Sequence, residues 1–295
     1  LPNSRLLAAG FLYQTMPDLT PKIKQICRLF QIEPSRSKGQ NFLVSEKVYD
    51  DIVAAAEINP EDIIFEVGPG LGFLTAKLAK LAKQVVAIEL DDKLAGYLRL
   101  AIEEESVQNV EVINGDILKF DFAKYFQGRE YKVVANLPYN ITSLCLRQFL
   151  SSPHPPLSLT LMLQKEVAER IVARPPQMSL LALSVQYYAE AKIIRPVKAG
   201  SFWPEPKVDS AVIRLVLKPA PLPREDETGF FRLARVGFSG RRKMLKNNLA
   251  SGFKCRPAEA AEALKSAGLG LKLRAEDLSL ENWLKLFASF RSFVV

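Results

Sequence analysis

Asn136-Leu137-Pro138-Tyr139-Asn140 follows a run of β-branched residues, and the residue types suit one kind of chemistry. An exocyclic amine on an aromatic base is a poor nucleophile, because its lone pair is delocalised into the ring. An enzyme that alkylates such an amine must offer acceptors to both N–H groups and favour the pyramidal form. Asn136 can offer its side-chain oxygen, and Leu137 its backbone carbonyl, held in place by the rigidity of Pro138. Tyr139 supplies an aromatic face on which a base such as adenine can lie. Alkylation by in-line displacement needs positioning more than a tuned acid or base, since the cationic product amine sheds its proton afterwards.

A second group of residues predicts where the alkyl donor would sit. The run Glu66-Val67-Gly68-Pro69-Gly70-Leu71-Gly72 leads into the helix-like Phe73-Leu74-Thr75-Ala76-Lys77-Leu78. A dinucleotide fingerprint would need glycine at position 73, where this chain has Phe73, and Pro69 removes an amide that a phosphate cradle would use. Gly68, Gly70 and Gly72 suit a nucleoside without a pyrophosphate, of which S-adenosylmethionine is the obvious example. Glu89, at the end of the next β-branched run, can accept both ribose hydroxyls, and Asp116, after Asn114-Gly115, can reach the adenine amine.

These residues require a sheet to align them. Short apolar runs at 63–67, 85–89, 110–113, 131–135 and 159–163 alternate with amphipathic stretches, the signature of a doubly wound α/β fold. Two further strands, 193–197 and 211–217, read as an antiparallel ending and bring the total to about seven. The Pro-rich stretch 219–223 reads as a linker. Beyond it, 230–238, 241–250, 257–267 and 280–290 read as short helices. The expected domains are an N-terminal extension, partly disordered, over 1–35; a catalytic domain over 36–218; a linker over 219–228; and an all-helical domain over 229–295.

Composition narrows the function classes further. One histidine, His154 between prolines, leaves little room for a histidine dyad or a multi-histidine metal site. Cys27, Cys145 and Cys255 are widely spaced, which argues against a disulfide framework or a zinc site and fits a reducing cytoplasm; no metal is expected. No apolar run approaches the length needed to span a bilayer. The net charge of +8 falls within residues 229–295, where 13 Lys or Arg face 5 Asp or Glu. Such a local excess is what binding to a phosphate backbone uses.

With Lys38-Gly39-Gln40-Asn41-Phe42-Leu43, Met162 to Ile171 and Pro204-Glu205-Pro206-Lys207-Val208-Asp209-Ser210-Ala211-Val212, these motifs extend along most of the chain. Together they resemble the KsgA/RsmA family of small-subunit ribosomal RNA adenine N6-dimethyltransferases, whose relatives include the Erm resistance methyltransferases and the mitochondrial transcription factor B proteins. The resemblance implies a Rossmann-like class I S-adenosylmethionine-dependent methyltransferase sheet with a smaller helical domain. It implies that Asn41 and Leu43 line the cofactor site with Gly68, Gly70, Gly72, Glu89, Asp116 and Asn136. It further implies that Phe202 stacks on a flipped target base opposite Tyr139, with Trp203 as the competing residue. Arg241, Arg242, Lys243 and Lys246 would hold RNA backbone. The implied substrate is a pair of adjacent adenosines in a terminal hairpin loop of 16S RNA, within an immature 30S subunit, and the expected protein is a cytoplasmic monomer. The chain departs from the family pattern at 178–184, where a Lys-x-Tyr-Gly-x-Leu-Ser-like run is usual, and at Gly240, where a Gln usually precedes the Arg-Arg-Lys cluster.

Overall fold

The structure is a computed structural model and describes residues 16–34 and 39–294. The expectation of a disordered tail therefore falls, over 1–15, outside the described residues. Within the extension expected over 1–35, Pro21 starts helix α1 (Thr20–Leu29), and Ile23, Ile26 and Cys27 form an apolar stripe buried in the core beside Leu19.

The chain forms two compact units, one ending at Ala168 but including Lys192–Leu217, the other made of Glu169–Ala191 and the residues from Lys218 onward. In the first unit, β1 (Phe42–Leu43) and α2 (Glu46–Ala56) precede five alternating strands and helices: β2 (Ile63–Val67), α3 (Phe73–Ala79), β3 (Gln84–Glu89), α4 (Asp92–Glu104), β4 (Val110–Asn114), α5 (Phe122–Phe126), β5 (Lys132–Asn136), α6 (Thr142–Leu150) and β6 (Ser158–Gln164). After α7 (Lys165–Ile171) and α8 (Leu180–Tyr188) come β7 (Ala189–Val197), β8 (Phe202–Trp203) and β9 (Ser210–Leu217). The sheet order is β4-β3-β2-β5-β6-β9-β7, seven strands as the apolar runs predict. Pairs among β2 to β6 are parallel, and β9 lies antiparallel to β6. Phe65, Val85, Val86, Val133, Val134 and Leu161 are fully buried, because strands covered by helices on both faces must be apolar throughout.

The order reverses between β2 and β5, so the loops after β2, β3, β4 and β5 gather at one sheet edge, where open α/β sheets bind ligands. That edge carries the glycine loop, Glu89, Asp116 and Asn136.

The second unit contains α9 (Arg224–Gly237), α10 (Leu245–Phe253), α11 (Pro257–Ser266) and α12 (Leu280–Val294), together with α8. The boundaries expected at 36–218, 219–228 and 229–295 are thus corrected. Helix α9 starts at Arg224, which shortens the linker. Residues 169–191 belong with the helical unit because Ala182, Leu183 and Tyr187 are buried in one cluster with Phe230, Leu233, Trp283 and Phe287. Leu180, one of the family departures, packs against the same cluster. Among the described residues no helix is long and apolar enough to cross a membrane.

Candidate active site

The chain leaves β2 through three left-handed glycines, Gly68 (φ +66°), Gly70 (φ +57°) and Gly72 (φ +79°), which L side chains rarely tolerate. Gly70 also lies under the Phe42 ring, 3.4 Å from where a Cβ would sit. The loop is fastened to β3: the Gly68 N–H donates to the Ile88 carbonyl (2.9 Å), and the Gly70 N–H donates to Glu89 Oε2 (3.1 Å).

Glu89 therefore organises the loop as well as facing the cleft. Its Oε1 accepts from the Asp91 N–H (2.9 Å), while its own carbonyl accepts from the Asn114 side chain and the Gly115 N–H. Burial raises its pKa, and the N–H groups of Asp91 and Gly70 oppose that rise. Asp116 accepts from the Leu118 N–H (2.9 Å), which holds its carboxylate at the edge of the same cleft.

The cleft is lined by Asn41, Leu43, Gly68, Gly70, Glu89, Asp116, Asn136 and Pro138, which brings the expected cofactor-site residues together except Gly72, which lies in the loop but not on the cleft wall. Opposite the glycine loop, Gly39 (φ +66°) sits 3.2 Å, measured from a built Cβ, from Pro138, and Gln40 Nε2 reaches Asp91 Oδ2 at 3.4 Å. Tyr49 donates its hydroxyl to the Leu43 carbonyl (3.1 Å) and fixes the end of β1.

Sequence reasoning had left the charge of this cleft unread. Glu66, Glu89, Asp91 and Asp116 line it, and among the described lining residues none is Lys, Arg or His. Glu66 is 1% exposed, and its Oε2 is buried without a hydrogen-bond partner. A buried carboxyl with one unpartnered oxygen and a lining free of basic groups fit a compact cation and oppose a pyrophosphate. The position of Glu66, inside a strand before the glycine loop, was the available signal.

Burial pushes the Glu66 carboxyl from its ordinary 4.5 up to about 8, against the opposing pull of the Thr75 hydroxyl, and Glu89 adds to the rise. Between these values the folded protein holds a proton that the unfolded chain has released, so stability falls as pH rises from about 4.5 to 8. Thermal unfolding of the ligand-free protein across pH 5 to 8 is expected to show that decline, and Glu66→Gln should flatten it; an equal slope in the variant would assign the effect elsewhere.

Asn136 pairs with Met162 at the end of β5, and the Leu137 N–H donates to the Met162 carbonyl (3.1 Å). The Pro138 carbonyl accepts from the Ile141 N–H (3.2 Å) and the Thr142 hydroxyl (3.3 Å), closing a turn into α6. None of these three bonds uses the Asn136 side-chain oxygen or the Leu137 carbonyl, the two acceptors expected for an amine. Leu137 is buried, and Tyr139 is half-buried with its hydroxyl 2.6 Å from Ser210 Oγ.

Phe202 and Trp203 lie in β8, paired antiparallel with β1 so that Phe202 faces Leu43 and Trp203 faces Phe42. Phe202 is 4% exposed within the core cluster, whereas half-buried Trp203 has Lys24 of α1 over its ring at 5.7 Å. Neither Tyr139 nor Phe202 lines the cleft itself.

In the helical unit, Arg241, Arg242 and Lys243 are exposed and Lys246 is half-buried. The helix expected over 241–250 begins only at Leu245. The reason is Asn248, whose buried side-chain amide donates to the carbonyls of Gly237 (2.7 Å) and Gly240 (3.0 Å) and holds 237–243 as a turn.

The sequence profile of the ribosomal RNA adenine dimethylase family matches residues 33–292. The chain is similar to "Ribosomal RNA small subunit methyltransferase A" of Dehalococcoides mccartyi, 42% identical over 93% of this chain and 94% of that protein. The protein of the same name from Alkaliphilus oremlandii is 40% identical over 89% and 93%. Among solved structures, a dimethyladenosine transferase from Plasmodium falciparum has a TM-score of 0.74 at 28% identity, covering 85% of this chain and 98% of that one. The 23S rRNA methyltransferase ErmE has a TM-score of 0.70 at 30% identity, covering 85% and 100%.

Proposed function

This chain belongs to the ribosomal RNA adenine dimethylase family, and from that premise we propose that it uses S-adenosylmethionine to dimethylate N6 of two adjacent adenosines in a terminal hairpin loop of 16S RNA. The observation that carries the reading is the acidic cleft, free of basic groups among its described residues, beside Asn136 and Pro138. S-adenosylmethionine, when bound, supplies an electrophilic methyl on a positively charged sulfur. Glu66, which keeps its proton in the ligand-free cleft, would ionise against a bound positive charge and offset it, Glu89 would accept the ribose hydroxyls, and Asp116 would accept from the adenine amine. Asn41, Leu43, Gly68 and Gly70 would complete the wall, with Gly72 in the same loop.

Asn136 and Leu137 would accept the two N–H groups of the target amine, with Pro138 holding the carbonyl and Tyr139 and Phe202 stacking on the extruded base. Arg241, Arg242, Lys243 and Lys246 would bind RNA phosphates. The working context is an immature 30S subunit in the cytoplasm, met by a monomer.

Methyl transfer from labelled S-adenosylmethionine to immature 30S subunits, with 50S subunits as control, tests this reading. N6,N6-dimethyladenosine in digests of 30S RNA alone is expected. Label in 50S RNA instead would assign the protein to large-subunit modification, and tight 30S binding without transfer would leave a role in subunit assembly.

A further inference from the structure

Tyr139 leaves β5 on a turn whose backbone is well fastened, yet that turn does not fix the direction in which its ring projects. The inner torsion of a tyrosine has three staggered wells that carry the hydroxyl to different places, so a contact at the hydroxyl decides where the ring axis points. Here the hydroxyl is 2.6 Å from Ser210 Oγ, 71 residues away in sequence, and Ser210 is fully buried at the first position of β9. A buried hydroxyl with a single rotatable bond is a firm anchor for a half-buried ring.

The anchor is itself held. Ser210 pairs with Gln164 at the end of β6, and the neighbouring Asp209 carbonyl accepts from the Lys165 N–H (3.0 Å). The Asp209 carboxylate accepts from the Ala199 N–H (3.0 Å) and from Lys198 Nζ (2.9 Å). Ala199 opens the turn that delivers Phe202 to β8, and the Ser201 carbonyl at the end of that turn accepts from the Val44 N–H (2.8 Å). Two adjacent residues thus act on the segments that carry the two aromatic rings: Ser210 touches Tyr139 directly, and Asp209 holds the turn before Phe202.

We propose that Ser210 is a positioning residue for the methyl-transfer reaction, fixing the direction in which the Tyr139 ring projects from its turn, from a strand end that Asp209 anchors. The proposal rests on the reading of Tyr139 as a wall for the target base. Ser210 touches no substrate in this scheme, and the tyrosine hydroxyl acts only through it.

The test is a double-mutant cycle of Tyr139→Phe and Ser210→Ala on 30S methylation. Each single change removes the same hydrogen bond while keeping the ring, so each should lower kcat/KM by roughly three- to tenfold. The double variant should be no worse than the weaker single. Cofactor affinity by calorimetry and the unfolding midpoint should stay near wild type. Fluorescence of 2-aminopurine at the target position in the RNA should report equally weakened stacking in all three variants. Independent, multiplicative losses, or a silent Ser210→Ala beside an impaired Tyr139→Phe, would mean the hydroxyl works on its own and would overturn the pairing. A wild-type protein that leaves 30S RNA unmodified would instead overturn the function on which the pairing rests.

Discussion

Asn136→Ala is expected to slow methyl transfer by at least about 100- to 1,000-fold, the range seen when one oriented hydrogen-bonding group is removed from a reacting centre. Cofactor affinity should fall far less. Asn136 holds its place through backbone pairing with Met162, which alanine preserves, so the strand end and the following turn should persist. What alanine removes is the acceptor that the amine needs while its lone pair leaves conjugation. Leu137 would still offer its carbonyl, so binding of RNA should survive with the rate lost. Single-turnover rates, with calorimetric binding of S-adenosylmethionine alongside, separate the possibilities. A normal rate with weak cofactor binding would make Asn136 a cofactor ligand only.

The sheet edge that carries the glycine loop and the carboxylates was legible because its determinants are local. Glycine at 68, 70 and 72 is demanded by left-handed backbone, and each carboxylate sits just past a run of β-branched residues whose end marks the sheet edge. The same locality made the seven strands readable. What escaped depends on partners distant in sequence. Helix α8 is apolar enough to read as part of any core, and only its burial with Phe230 and Trp283 assigns it to the helical unit. Helix α1 lies ahead of the motifs and reads as a tail until Ile23 and Ile26 are seen buried. The acidity of the cleft emerges only when Glu66, Glu89, Asp91 and Asp116, carried by β2, β3 and the loops after β3 and β4, line one wall.

Gly240 shows how a departure from the family pattern can be local packing. A Cβ there would lie 2.6 Å from Asn248 Oδ1, so the turn that Asn248 holds has no room for the usual Gln without a shift. The neighbouring Gly237 fits under Trp283 in the same way, with 2.3 Å from a built Cβ to the indole. The basic cluster is therefore presented on a close-packed turn, which ties the sequence departure to the surface proposed to meet RNA.

That turn makes charge reversal informative. Arg241→Glu with Arg242→Glu is expected to weaken RNA binding by about 100-fold or more near physiological salt, and to reduce the slope of log affinity against log salt by about two. Both side chains are exposed and the turn is held by Asn248 and the two glycines, so folding should be unaffected. The affinity loss follows from two counterion-releasing contacts replaced by repulsion of phosphate. Cofactor binding, proposed for the acidic cleft of the other unit, should not change. Titrating RNA at several salt concentrations gives both affinity and slope. An unchanged slope with unchanged affinity would return these arginines to the role of solubilising charge and move the search for the RNA surface to the other cations of the C-terminal segment.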